Sequence, residues 1–507
     1  MCFMGLSMAF PRASGILLHP TSLPSPFGIG DLGDGAYHFV DFLAKSSQQL
    51  WQVLPLGPTG YGHSPYLCYS ALAGNPLLIS PRELRADGLL QEVDLADLPQ
   101  FPEEFVDFGA VVVMKMALLR RAFAAFKTNP SLEDPFNAFC ANHQHWLEDY
   151  ALFMALKERH DGQGWNRWET DLAKRDPKCL DQCRQELAES ISFQKFLQFL
   201  FFRQWSALKQ YANGKNIQIV GDIPFYVALD SADVWANPED FQLNQETGEA
   251  AFMAGVPPDY FSETGQLWGN PVYNWDNLQA KDFDWWVQRF QGLLEYVDLI
   301  RIDHFRGFQA YWAVPEGEKT AINGQWMESP GYLLFEKLQQ KLGQLPILAE
   351  DLGFITPEVE ALRDHFGFPG MKVLHFAFDA GNDNPYLPWN YHTNNCVVYT
   401  GTHDNDTTLG WFHSRSPEQQ WQILNYVGGE GLDGLHWSLI RFALNSRANQ
   451  AIIPLQDVLG LGGEHRMNRP SVADGNWAWR YRADALSPEF CDRLRQATES
   501  SERVSQG

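Results

Sequence analysis

Short apolar runs that end in polar or glycine-rich turns recur along the chain. The first four are Gly15–His19 (GILLH), Leu50–Leu56 (LWQVLPL), Ile217–Asp222 (IQIVGD) and Leu299–Asp303 (LIRID). Pro346–Asp351, Met371–Phe378, Cys396–Asp404 and Ala451–Asp457 bring the total to eight. Runs of this length, punctuated in this way, read as strands. Helix-like segments lie between several of them, including Asp34–Ser47, Tyr332–Leu342 and Pro357–His365. In the last, Thr356 stands as a cap and Pro357 takes the first helical position, where its missing N–H costs nothing. Strand–helix alternation repeated in this way predicts an α/β fold, a (β/α)8 TIM barrel. Catalytic groups in such a barrel gather at the C-terminal ends of the strands, where the polar residues of these runs fall.

The long gap between the second and third runs predicts a helical insertion, at approximately residues 82–190. Helical periodicity appears in AVVVMKMALLRRAFAAF and in DPFNAFCANHQHWLEDYALFMALKERH, the latter opening with Asp134 as cap and Pro135. A third stretch, SFQKFLQFLFFRQWSALKQYA, stops at Asn213–Gly214 and leads straight into the third run, as the barrel's crossover helix should. After the last run about 50 residues remain, short of the roughly 100 of an appended β-sandwich. Residues 1–507 therefore read as a single catalytic domain.

Composition narrows the partners. The formal net charge is −24, from 38 basic and 62 acidic residues. That field repels phosphate backbones and anionic lipid, so neither nucleic acid nor membrane is an expected partner, whereas a neutral one meets no repulsion. The 7 cysteines are odd in number and scattered, and CLDQC has no second ligand pair beside it, so free thiols in a reducing cytoplasm are expected. The opening MCFMGLSMAF lacks a basic n-region and a cleavage site, and Met8 is a second candidate start. Of the 18 tryptophans, most suit core packing, but several sit in loop-like stretches such as GQGWNRW, QLWGNPVYNW, YLPWNYH and GNWAW. Aromatic faces set among polar side chains suit a ligand with apolar C–H faces and many hydroxyls, which describes a sugar.

GIGDLG gives Gly28, Gly30 and Gly33 the spacing of a dinucleotide loop, yet PTSLPSPF separates it from the preceding strand. The pattern needs a strand-to-helix turn, so these glycines read as a tight loop on the barrel rim. The stretch DLIRIDHFRGF carries more chemistry. Arg301 and Asp303 are two apart on a strand and face the same side. A guanidinium close to a carboxylate keeps it ionised, as a covalent nucleophile requires; a structural ion pair would use the same two residues. The next run ends in Glu350 and Asp351, which face opposite sides. The apolar run favours Glu350 for the barrel mouth and leaves Asp351 to brace the following loop. The seventh run ends in His403 and Asp404. Retaining glycoside chemistry needs a carboxylate nucleophile with a protonatable carboxyl nearby, and a third acid can grip sugar hydroxyls. Metal binding by the same acids and histidines is the competing use, but neither H-E-x-x-H nor an EF-hand calcium loop is present.

At these residues the chain closely resembles the 4-alpha-glucanotransferases called amylomaltases or disproportionating enzymes. The motifs run in order from HPTSLPSPFGIGDLG through SPYLCYSALAGNPLLIS, VGDIPFYVALDSADVW, PPDYFSETGQLWGNPVYNW, IRIDHFRGF, AEDLG and GTHDNDTTLGW to RMNRP. The resemblance implies retaining transfer on α-1,4-glucans without a cofactor or metal, with glucose and maltooligosaccharides as acceptors. It implies Asp303 as nucleophile, Glu350 as acid/base and Asp404 as transition-state stabiliser. His403 would lie on the same sugar, Arg301 against Asp303, Tyr66 stacked near the cleaved bond and Asp222 on another sugar contact. Asp259, Tyr260 and Phe261 resemble a loop over the cleft, with Trp268 following as a platform. Asn468 and, in a more distant glucan groove, Tyr61 complete the implied contacts. An alpha-amylase-like hydrolase with the same carboxylates, and a non-catalytic glucan-binding protein, are the rival classes.

Overall fold

The computed structural model describes residues 10–258, 262–429, 431, 434–472 and 474–504. The eight apolar runs become eight parallel strands. They are β1 (Ala13–Leu17), β2 (Leu50–Gln52), β3 (Gln218–Pro224), β4 (Leu299–Asp303), β5 (Ile347–Ala349), β6 (Gly370–Val373), β7 (Cys396–Tyr399) and β8 (Gln450–Pro454). Each pairs with its neighbours in sequence, and β8 returns to β1 to close the barrel. Parallel strands covered by helices are buried on both faces, which is why they read as continuous apolar runs. Gly15 shows how tightly the closure is drawn, since a Cβ there would stand 2.3 Å from the carbonyl oxygen of Leu50 on β2. Inside the barrel, Tyr399 on β7 donates to Gln52 Oε1 on β2 at 2.8 Å, satisfying two buried polar groups across the interior.

The helices pack around this core. Asp34–Lys45 buries Ala36, Phe39, Val40 and Leu43, the spacing of one helical face, and Phe39 meets Trp51 edge-on at 5.1 Å. Between β2 and β3 lie the helices Phe108–Phe126, Glu133–Arg159, Pro177–Glu186 and Ala188–Gly214. The last packs on Asp34–Lys45 and on β3, as a crossover helix should, while also holding Glu133–Arg159. After β8 the described chain ends in the helix Pro488–Ser500. Arg503, fully buried, donates to the carbonyls of Ala13, Leu444, Ser446, Ala448 and Asn449, which ties this end of the chain beneath the barrel.

Some local expectations change. Helix Glu133–Arg159 starts at Glu133, so Asp134 lies inside its first turn and does not cap it. Thr356 occupies the N-cap position of Pro357–His365, but its side chain makes no capping bond to the helix. The largest difference is a second sheet. Gln266–Pro271, Phe252–Val256, Ala310–Pro315 and Gln325–Glu328 pair antiparallel in that order. The prolines and glycines of GVPPDYFSETGQLWGNP predict only a loop. Its ends are instead strands: Phe252–Val256 pairs with Ala310–Pro315, distant in sequence, and Gln266–Pro271 pairs with the other edge of Phe252–Val256, which satisfies their backbone groups. The GIGDLG glycines do form a tight loop, and Gly33 N donates to Asp31 Oδ1 at 2.9 Å as the helix Asp34–Lys45 begins. The six cysteines among the described residues are unpaired, and no described helix is long and apolar enough to cross a membrane.

Candidate active site

The register between strands sets the site. Asp222 on β3 lies beside Arg301 on β4, and Ile302 lies beside Ala349 on β5. The next residue along each of the latter strands, Asp303 and Glu350, therefore emerges at the same level of the mouth. Arg301 is only 3% exposed. Its Nη1 bridges Asp222 Oδ2 at 2.7 Å and Asp303 Oδ1 at 3.0 Å. Burial alone would lower its pKa, but the charges of Asp222 and Asp303 outweigh that and hold the guanidinium above its ordinary value. Tyr66 donates its hydroxyl to the same Asp222 Oδ2 at 2.9 Å. Burial pushes the Asp222 carboxyl up, against the pull of Arg301. Asp222 Oδ1 is buried and has no partner among the described residues. The Asp303 side chain keeps 31% of its surface open to the cleft. Arg301 thus fixes two carboxylates on neighbouring strands and leaves one of them accessible.

Glu350 differs from both. Its Oε1 accepts from Leu352 N at 2.8 Å and its Oε2 from His304 N at 2.7 Å. His304 can aim its N–H this way because it sits at φ 55°, ψ 51°, in the left-handed region that few non-glycine residues adopt. Burial first, and the Asp303 charge second, push Glu350 up to about 7, against Arg301 and the two N–H donors. A carboxyl poised there can give a proton and later take one back. Asp351 turns the other way, receiving Met371 N at 2.7 Å and a short ion pair from Arg363. It braces the loop after β5.

The loop after β7 brings the third acid. Asp404 Oδ1 accepts from Asn468 Nδ2 at 2.7 Å and faces His403 Nε2 at 3.4 Å. Burial works against its charge, but His403 and these hydrogen bonds override it and hold Asp404 well below the usual carboxylate range. For His403, burial pulls the pKa down and Asp404 pulls it up, with a net rise. The His403 ring stacks on Tyr66, with centroids 5.1 Å apart and planes 18° apart. Tyr66, His403, Asp222, Arg301 and Asp303 are therefore one connected wall, and Asp404 and Asn468 join it at His403.

Trp268, on the strand Gln266–Pro271, meets the His304 ring edge-on at 4.9 Å, which ties the second sheet to the end of β4. Asp259, Tyr260 and Phe261 lie outside the described residues, and so does the side chain of Tyr61, whose backbone forms the turn Tyr61–His63. The sequence reading missed several participants. Trp477 lies 5.9 Å from both Tyr66 and His403, and Arg466 donates to the Asp404 carbonyl at 2.9 Å. Asp457 holds the β7 loop through Thr408 N at 2.7 Å and the Thr408 hydroxyl at 2.8 Å. GNWAW did place Trp477 among the loop aromatics, and AIIPLQD placed Asp457 at a strand end. Arg466 opened the RMNRP stretch but was given no role there.

A barrel mouth that gathers one guanidinium-fixed acid, one protonatable acid and one strongly ionised acid can supply both a carboxylate nucleophile and a proton donor. Comparison with known proteins gives the family. A family model described as 4-alpha-glucanotransferase matches residues 18–486. A 4-alpha-glucanotransferase of Synechocystis sp. is 59% identical over 491 residues, covering 96% of this chain and 97% of that protein. One from Thermus thermophilus is 52% identical over 505 residues, covering 98% and 100%. Among solved structures, an amylomaltase from Streptococcus agalactiae in complex with acarbose superposes with a TM-score of 0.94 at 39% identity, covering 97% of this chain and all of that one. The chain belongs to the 4-alpha-glucanotransferase family.

Proposed function

We propose that the protein transfers a segment of an α-1,4-glucan, with retention, to the 4-hydroxyl of glucose or another glucan. The observation that carries this is the split between Asp303, fixed beside buried Arg301, and Glu350, pushed up to about 7 on the adjacent strand. Asp303 attacks the anomeric carbon as Glu350 protonates the departing oxygen, so the C1–O bond breaks and an ester to Asp303 forms. The acceptor hydroxyl then attacks the same carbon while Glu350 takes its proton, and Asp303 leaves as the carboxylate. Asp404, kept ionised by His403 and Asn468, grips hydroxyls of the distorted sugar. Asp222, buried behind Arg301 and bonded to Tyr66, holds that pair in place.

Incubation with maltotriose tests this directly. Transfer yields glucose and a ladder of longer maltooligosaccharides. Reducing ends rising with no longer products would mean water is the acceptor, and no change would leave only binding. Asp303→Asn should abolish turnover with glucan binding retained; activity within about tenfold of the parent would remove Asp303 as nucleophile.

A further inference from the structure

A buried guanidinium that the catalytic scheme does not use lies just past the end of β4. Arg306 is 6% exposed, and its Nε and Nη1 have no hydrogen-bond partner among the described residues. Orphan donors of a buried cation are costly, so something must compensate. Two aromatic rings do. The guanidinium carbon lies 3.9 Å from the Trp326 ring centroid and 5.2 Å from that of Phe354. A desolvated cation over a ring face is attracted by the ring's quadrupole more strongly than an exposed one.

The rings are themselves unusual. Phe354 is 67% exposed and Trp326 36%. Their centroids are 6.5 Å apart and their planes only 26° apart, so they lie as neighbouring tiles. Trp312 meets Trp326 edge-on at 5.3 Å and fixes its orientation. Arg306 occupies one side of the pair, so the exposure belongs to the other. A scattered exposed aromatic needs no explanation, but two tiles laid over a buried cation form a built surface.

We propose that Trp326 and Phe354 are a stacking platform for the glucan chain on the leaving-group side of the cleft, held from beneath by Arg306. This rests on the glucan-transfer reading above. Placement points to that side. Arg306 follows Asp303 by three residues and Phe354 follows Glu350 by four. Trp326 stands on one edge strand of the sheet whose opposite edge carries Trp268. Glu350 protonates the departing sugar, so aromatic surface next to it meets the chain that leaves and the chain that arrives. The ligand class follows from chemistry. A net charge of −24 disfavours anions, while flat rings at the rim offer faces to the C–H surfaces of a neutral sugar.

The test is the dependence of transfer on chain length. Stacking by a remote sugar strengthens binding only when the chain is long enough to reach it, so the parent should show a lower KM for maltoheptaose than for maltotriose. In Trp326→Ala and Phe354→Ala that advantage should shrink by about tenfold with kcat little changed, and Trp326→Phe and Phe354→Tyr should restore it. A length preference equal to the parent's in both alanine variants would overturn the platform. So would a proportional loss on both substrates, which would mark the rings as structural. Phe354 is exposed enough for its alanine variant to fold even if Trp326→Ala does not. A parent that makes no longer products from maltotriose would fail the glucan-transfer reading itself, a distinct outcome.

Discussion

Replacing Arg301 with methionine keeps most of the side chain's bulk and removes the cation that Asp222 and Asp303 share. Breaking a buried pair from one side costs about 3–5 kcal/mol, because the surviving charge stays desolvated. Unfolding entropy near 2.1 cal/mol/K per residue puts a chain of 507 residues on the order of 1 kcal/mol/K, so Tm should fall about 3–5 °C at pH 8. The loss should depend on pH in a definite direction. Asp222 has a folded pKa of about 6 against an ordinary 3.8, and removing Arg301 lifts the folded value further. A carboxyl whose pKa is higher in the folded state costs stability above its unfolded value, and that cost is relieved as pH falls through the folded value. At about 1.4 kcal/mol per pH unit, moving from pH 8 to pH 5 should recover roughly half the deficit or more. Scanning calorimetry of parent and Arg301→Met at one scan rate, at both pH values, measures this. Turnover should fall about 10²–10³-fold, the scale of losing one preorganised charged group. A Tm change under about 1 °C at pH 8, or an equal deficit at pH 5, would refute the account of Arg301 as the buried counter-charge.

Glu350→Gln should lower kcat/KM on glucans by about 10²–10⁴ while sparing the first step with α-glucosyl fluoride, whose leaving group needs no proton. The alkaline limb that Glu350 gives near pH 7 should vanish with it; equal losses on both donors would put the acid/base role elsewhere. Asn468→Ala removes the N–H that Asp404 Oδ1 accepts, and a hydrogen bond to a charged group worth about 1.5–3 kcal/mol predicts a 10–100-fold fall in kcat/KM; an unchanged value would free Asn468 from the site. Water at about 55 M competes with every acceptor, and orientation worth about 10⁵ M can outcompete it. Tyr260→Ala and Phe261→Ala, in the segment joining Phe252–Val256 to Gln266–Pro271, should therefore raise the ratio of hydrolysis to transfer; a ratio equal to the parent's in both would end that assignment.

Much of the barrel was legible along the chain because parallel strands buried on both faces leave continuous apolar runs, and polar residues at their ends mark the mouth. Strand alternation put Arg301 and Asp303 on one face and Glu350 and Asp351 on opposite faces, and the apolar run chose Glu350 for the mouth. The second sheet was not legible. QLWGNP contains the residues of a turn, and it is a strand because it pairs with Phe252–Val256, whose other edge is taken by Ala310–Pro315 from far along the chain. The same limit applies to the site. No local signal joins Asn468 to Asp404, Trp477 to Tyr66, or Arg306 to Trp326 and Phe354, since each contact depends on how separate loops meet at the rim. Acidity is the furthest from the sequence. An Asp or Glu residue carries its ordinary pKa in any extended chain. What lifts Glu350 and depresses Asp404 is the loss of water around one and the arrival of His403 and Asn468 beside the other. Residue type and spacing follow from covalent order, whereas desolvation and charge proximity exist only once the barrel has closed.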